Sequence, residues 1–369
     1  MMPLSATDVF IVGGGPAGLA AGLAARRLGL QVTVADCGQP PLDKACGEGI
    51  MPDGVRAARS LGLNLEDASP RAFAGVRFAE GAQSVEARFP TGAGLGLRRT
   101  ALHRFLIDHA CQAGVRLLWG ARVTALVNAG VWVDDRLVRA RWIVGADGGN
   151  SIVRRWAGLE PSRRDSRRYG FRRHYRVEPW SEFMEIHWSD GCQLYLTPVS
   201  DREICAVLIS RDPRLRLDAA LPRFPEVRRR LERAAAVSAE RGAVSATRRL
   251  KRVWRGNVAL AGDASGSVDA ITGEGLCLLF QQAVALAAAL AREDLSVYEA
   301  AYRRLGRRPE WMSGLMLTLD RFPSVRRRTI QAMARNPRLF ARMLAMHVGE
   351  LSASGCVANG LSLGWEMLA

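Results

Sequence analysis

The chain has 369 residues, 48% of them hydrophobic, and a formal net charge of +16, which bounds it to one large or two interleaved domains around a sizeable core. All but Lys44 and Lys251 of its 52 cations are arginine; the excess favours anionic partners, but no RNA-binding or helix-turn-helix signature accompanies it, so nucleic acid is excluded. The seven cysteines, at 37, 46, 111, 192, 205, 277 and 356, form no C-x-x-C pair, which argues against a disulfide framework or zinc site and for a reducing cytoplasm.

Residues 8–13 read as an apolar strand that enters Gly13-Gly14-Gly15-Pro16-Ala17-Gly18 and then a helix ending near Gly29. The next strand, QVTVAD, stops on Asp36. Strand, glycine turn, helix, strand and terminal acid make up a dinucleotide-binding unit. Gly13 permits the tight turn, Gly15 lets the backbone approach a pyrophosphate, and Gly18 lets helix and strand pack closely. Asp36 is placed to accept hydrogen bonds from ribose hydroxyls. This glycine spacing and Asp8 argue against reading the run as a signal peptide, and the apolar run at 275–290 is too short to span a bilayer.

The stretch DKACGEGIMPDG, 43–54, is a loop whose Gly47 and Gly49 suit close backbone approach. Alternating segments at 73–90 and 169–210 predict antiparallel strands, most clearly the hairpin QLYLTPVSDREICAVLIS. Between them lie the Arg98–Arg99 pair, the helix TALHRFLIDHACQAG, further strands, and the turn GADGGNSIVR at 145–154. Residues 213–247 look helical and arginine-rich. A buried strand at 257–261 then runs into GDASGSVDAITGEGL, 262–276, where Asp263, Gly273 and Gly275 stand at the mouth of an apolar helix. The tail from 297 is helical, basic and methionine-rich.

Three of these segments, Gly13–Asp36, 145–154 and 262–276, resemble in order and spacing the FAD-dependent oxidoreductases of the p-hydroxybenzoate hydroxylase fold, a superfamily of aromatic and polyketide monooxygenases and geranylgeranyl reductases. The resemblance implies an α/β fold: a Rossmann-like FAD-binding domain from 6–72, 98–160 and 248–300, an antiparallel-sheet substrate domain from 73–97 and 161–247 inserted into it, and a helical C-terminal region, 301–369. It implies FAD as cofactor and NAD(P)H as a transient electron donor. Asp263 then meets a ribityl hydroxyl, Gly273 and Gly275 bring amides to the flavin ring, and Asp147 and Gly148 lie beneath the pyrophosphate. Lys44, Arg99 and Val123 complete the cofactor set. The 275–291 helix turns its positive end toward the charge that a reduced flavin carries.

Cys46-Gly47 resembles the Cys-Gly pair of the geranylgeranyl reductase branch; Cys46 either packs as a small hydrophobe or acts in the site. QLYLTP aligns with the aromatic strand of those reductases and of flavin-dependent halogenases but matches neither. Alternation places Gln193, Tyr195 and Thr197 on one face of the sheet, where they can roof a pocket with Gly47 and Pro198. Cys46 and Tyr195 are the candidate catalytic residues. The five histidines show no metal spacing, and His187 reads as structural. The first functional expectation is hydroxylation of an aromatic, polyketide or phenolic-lipid substrate with O₂; the second is hydride transfer between flavin and a carbon–carbon bond; the third is a non-catalytic flavin holder. In the tail, Leu339, Phe340, Met343, Leu344 and Met346 form an apolar face with Arg338 and Arg342 opposite. That face either closes the pocket against the FAD domain or touches anionic lipid at a membrane surface.

Overall fold

The computed structural model describes residues 6–128, 130–160 and 163–351. Cys356 and the last part of the expected C-terminal region lie outside them. Thr7–Val12 runs parallel to Val32–Asp36 on one side and to Arg136–Gly145 on the other. Arg116–Trp119 and Val258–Leu260 extend the sheet in parallel, and Trp254–Arg255 closes one edge antiparallel. Both faces of the first strand are covered, which is why it reads as an unbroken apolar run. Val9 and Ile11 meet the helices Pro16–Arg26 and Gly275–Ala291 in one core, whereas Phe10 and Val12 join Ile143, Val153 and Leu260 in another.

The second sheet has the order Ala235–Ala236, Arg163–Arg176, Glu203–Ser210, Cys192–Ser200, Phe183–Ser189, Gly75–Glu80, Gln83–Arg88. It is antiparallel except where Phe183–Ser189 lies parallel to Gly75–Glu80. The expected hairpin forms between Cys192–Ser200 and Glu203–Ser210. Helical expectation across 213–247 is corrected: only Leu217–Ala220 and Pro225–Leu231 are α-helical, and Arg241–Arg249 is a strand paired with Arg163–Arg176. Val244 and Thr247 supply β-branched positions there, and the arginines stand out from an edge strand, which they protect from further pairing.

Three helices follow the FAD-side helix: Leu295–Arg321, Pro323–Arg335 and Pro337–His347. Pro323 and Pro337 begin the last two, where a missing N–H costs nothing. The expectation that the tail packs on the FAD domain is corrected, because the last two helices lie on the edge strand Gln83–Arg88 of the second sheet. Phe340 stacks 4.8 Å from Phe78. Leu339, Phe340, Met343, Leu344 and Met346 are all buried there, so this face is not free for lipid. Arg326, buried as well, holds Glu80 at 2.6 Å and Asp190 at 2.7 Å. Among the described residues no helix is long and apolar enough to cross a membrane.

Candidate functional site

The glycine turn closes on itself. Gly13 has φ +111°, and a side chain on it would strike the Ala146 carbonyl; one on Gly18 would strike the Gly13 carbonyl. Asp36 accepts from the Gly14 and Gly38 amides, each at 2.7 Å, so its carboxylate fixes the turn at the end of its own strand. Beneath the turn lies His103, fully buried. Its Nδ1 accepts from the Leu42 amide at 3.2 Å, so Nε2–H donates to the Gly14 carbonyl at 2.7 Å. Burial pushes its pKa down, which keeps this neutral tautomer.

Of the adjacent arginines, Arg98 turns away to Glu203 at 2.8 Å. Arg99 reaches toward Gly15, and its buried Nε has no partner among the described residues. Asp147 accepts from the Ile152 amide at 2.7 Å through one oxygen, while the other, buried, has no hydrogen-bond partner among the described residues. Gly148 has φ +80°, and Lys44 Nζ lies 3.5 Å from where its side chain would begin. Val123 is a buried strand residue in the core under the sheet. On the third segment the Asp263 side chain is exposed, with no hydrogen bond among the described residues. Gly47, Gly273 and Gly275 all face open space: a Cβ on any of them would meet no atom within 4 Å.

Cys46 is half-buried, and burial pushes its thiol up, so it is a thiol and not a thiolate at neutral pH. Its sulfur accepts from the Glu48 amide at 3.4 Å. Glu48, at φ +60°, is buried; its carboxylate accepts from the Arg99 amide at 3.0 Å and faces His174 Nε2 at 2.7 Å. His174 in turn contacts the half-buried Ser238 hydroxyl at 2.9 Å, and Arg172 lies 3.1 Å from the same ring nitrogen. Glu48, His174 and Cys205 converge closely enough for a metal, but the guanidinium of Arg172 beside them opposes a second positive charge.

Tyr195 does not have the free hydroxyl expected of a catalytic residue. It donates to the Ile271 carbonyl at 2.7 Å, and burial pushes its pKa up. Gln193, on the same face, donates to Asp320, which also binds Arg168 at 2.5 Å. Thr197 packs on Gly49 and Gly96, and the Pro198 carbonyl lies against Gly96. Gly47, Gln193, Thr197 and Pro198 are not among the residues that line the narrow apolar cavity of this region. Its walls come one and two strands further out, from Phe183–Ser189 and Gly75–Glu80, and from the C-terminal helices. The cavity is narrow, with a volume of ≈ 30 Å³ between Met51, Met184, Met312, Met316, Met343 and their neighbours. Ile271 and Thr272, just before Gly273, are among its lining residues.

Taken together, a glycine turn at a helix start, two buried polar atoms without partners, an open carboxylate and three bare glycines fit a dinucleotide with a planar ring. The family described as FAD binding domain matches residues 6–295. The chain belongs to that family. This flavoprotein is an FAD-dependent oxidoreductase with the p-hydroxybenzoate hydroxylase-like fold. It is 30% identical over 303 residues to a menaquinone reductase of Mycobacterium tuberculosis, across 73% of this chain and 72% of that one. It is 28% identical over 298 residues to digeranylgeranylglycerophospholipid reductase 2 of Methanopyrus kandleri, across 73% of each. A rifampicin monooxygenase of Rhodococcus hoagii is 32% identical over 159 residues, 40% of this chain and 33% of that one. Among solved structures, a flavoprotein/dehydrogenase from Cytophaga hutchinsonii superposes with a TM-score of 0.81 at 16% identity, over 93% of this chain and 92% of that one. That likeness concerns the fold.

Sequence reasoning passed over His103, Glu48, His174, Glu274 and His347. Two of them had a readable signal. C-G-E-G at 46–49 and T-G-E-G at 272–275 each bracket a glutamate with glycines, and both glutamates are buried beside the bare backbone. His174 and His347 had none, since their partners are distant in the chain.

Proposed function

We propose that this flavoprotein reduces a carbon–carbon double bond in a long apolar substrate of the prenyl-lipid class, such as a prenylated quinone. The observation that carries this reading is the methionine-lined cavity whose walls include Ile271 and Thr272, next in the chain to Gly273. Thioether side chains are flexible and polarizable, so a narrow cavity built from them can repack around an extended hydrocarbon. The relatives that align over about three-quarters of both chains carry the names of reductases acting on prenyl lipids. That alignment moves carbon–carbon reduction ahead of the hydroxylation expected first.

In this reading Gly13, Gly15, Gly18, Asp36, Lys44, Arg99, Val123, Asp147, Gly148, Asp263, Gly273 and Gly275 hold FAD. Arg99 Nε and Asp147 Oδ1 supply polar atoms that have no hydrogen-bond partner among the described residues, and the start of the Gly275–Ala291 helix faces negative charge on the ring. Bound FAD supplies two-electron transfer, and NAD(P)H supplies the electrons. The apolar walls keep water from the reacting carbon and fix the substrate's approach.

Hydroxylation of an aromatic substrate is the second reading, favoured by the partial match to a rifampicin monooxygenase. One experiment separates the two. The holoenzyme is incubated with NAD(P)H and menaquinone in detergent micelles without O₂, and the products are weighed by mass spectrometry. A gain of two hydrogens supports the reductase. Product that forms only with O₂, and gains an oxygen atom, overturns it in favour of the hydroxylase.

A further inference from the structure

A saturated carbon–carbon bond needs a proton as well as a hydride equivalent, and the cavity described above offers almost no polar group to give one. Of the residues that line it, His347 alone is titratable. His347 closes the last described helix, buried, and its Nδ1 has no hydrogen-bond partner among the described residues. Glu274 Oε1 stands 3.9 Å from that nitrogen. The other oxygen of Glu274 is buried and has no hydrogen-bond partner among the described residues. Glu274 itself lies between Gly273 and Gly275, the two bare glycines at the start of the long helix.

We propose that Glu274 and His347 form a proton-donating pair for the substrate cavity, a role that rests on the cavity being the substrate site. In the neutral pair the carboxyl group carries one proton and faces the bare Nδ1, while the other ring nitrogen carries a second. As the substrate carbon takes the imidazole Nε2 proton, the carboxyl proton moves to Nδ1. The imidazole ends neutral in its other tautomer and the glutamate ends ionised. The hydride equivalent comes from a reduced flavin, so the double bond gains one hydride and one proton. Solvent then reprotonates the carboxylate.

The surroundings suit both states of the acid. Arg308 lies 2.5 Å from Asp53 and 3.7 Å from Glu274, so its charge is committed first to the Asp53 carboxylate. Asp53 also accepts from Gln281 at 2.9 Å, and Thr272 adjoins Glu274 in the chain. Burial and the Asp53 charge push the Glu274 carboxyl up to about 8 against the pull of Arg308, and burial takes His347 down to about 4. At neutral pH both groups are therefore uncharged, as a dry cavity requires. When the carboxylate forms, Arg308 is in place to stabilise it.

The test uses the holoenzyme with menaquinone in detergent micelles. Infrared spectra at pH 7 should show a protonated-carboxyl band that is absent from Glu274→Gln. Turnover should fall about 100-fold in Glu274→Gln and in His347→Phe, with FAD content unchanged, and Glu274→Asp should recover part of it. A carboxyl that is ionised at pH 7 overturns the pair, and so does turnover in Glu274→Gln within twofold of the parent. Parent enzyme that leaves menaquinone unreduced defeats the substrate reading; the infrared band then decides alone whether the pair keeps its proton.

Discussion

The Tyr195 hydroxyl donates to the Ile271 carbonyl at 2.7 Å and so ties the centre of the substrate sheet to the loop that ends in Gly273. A residue expected to move protons instead fixes where the Ile271–Gly273 backbone sits. Tyr195→Phe should leave one buried carbonyl unpaired and cost about 1–3 kcal/mol of stability. Chemical denaturation of the holoenzyme checks this. Turnover that vanishes while stability is unchanged would restore a direct chemical role for the phenol.

Asp263 is the exposed carboxylate at the strand end, with no hydrogen-bond partner among the described residues. Asp263→Ala should therefore leave folding of the apoprotein nearly unchanged and loosen FAD by roughly 0.5–1.5 kcal/mol per lost hydrogen bond, about tenfold in Kd at the upper end. Flavin fluorescence titration measures it. Acid precipitation of the parent protein should release the yellow colour; colour that stays in the pellet argues for a covalent link.

Gly275 begins a long helix and faces open space in the protein. Gly275→Ala should stabilise the apoprotein by up to about 0.5–1 kcal/mol, because alanine loses less backbone entropy in a helix. The same methyl group should weaken FAD binding. Opposite signs in the two measurements, thermal unfolding and flavin titration, identify this glycine as one kept for the cofactor. Tighter FAD binding in the variant would sink the idea.

The Glu274–His347 pair gives a pH signature with a definite sign. Glu274 is held at about 8, above its ordinary 4.5, so the native state binds an extra proton between those values, and stability falls as pH rises through that window. His347, held at about 4 instead of 6.5, has the opposite effect between pH 4 and 6.5. The two oppose each other up to pH 6.5, and from there to pH 8 only the loss remains. Unfolding free energy of the parent should drop by about 1 kcal/mol per pH unit across that upper interval. In Glu274→Gln the drop should disappear; a slope that persists there places the proton elsewhere.

The parts of this site that were legible in the sequence are the parts made by local backbone. Gly13, Gly18 and Asp36 lie within one strand–turn–helix–strand unit, so spacing alone conveys their geometry. Asp263, Gly273 and Gly275 were readable for the same reason. The cavity walls were not, because Phe78, Met184, Met316 and Phe340 come from four separate elements, and Met51 from a connection, that meet only in the tertiary structure. The Arg98–Arg99 choice was likewise tertiary: Glu203, more than a hundred positions away, takes the first and leaves the second to face Gly15. Arg241–Arg249 was misread because its arginine content suggests a helix surface, whereas its partner strand gives it extended geometry.

The helix Leu295–Arg321 starts where the family match ends, at residue 295. Every residue proposed to hold the dinucleotide precedes that boundary, whereas the cavity takes Met51, Phe78, Met184 and Ile271 from before it and Met312, Met316, Phe340 and His347 from after it. In the proposed reading the cofactor site is thus written in one stretch, and the substrate wall is shared between two. Exchanging the segment after residue 295 for another helical cap would rebuild part of the cavity wall without touching the residues proposed to hold the cofactor.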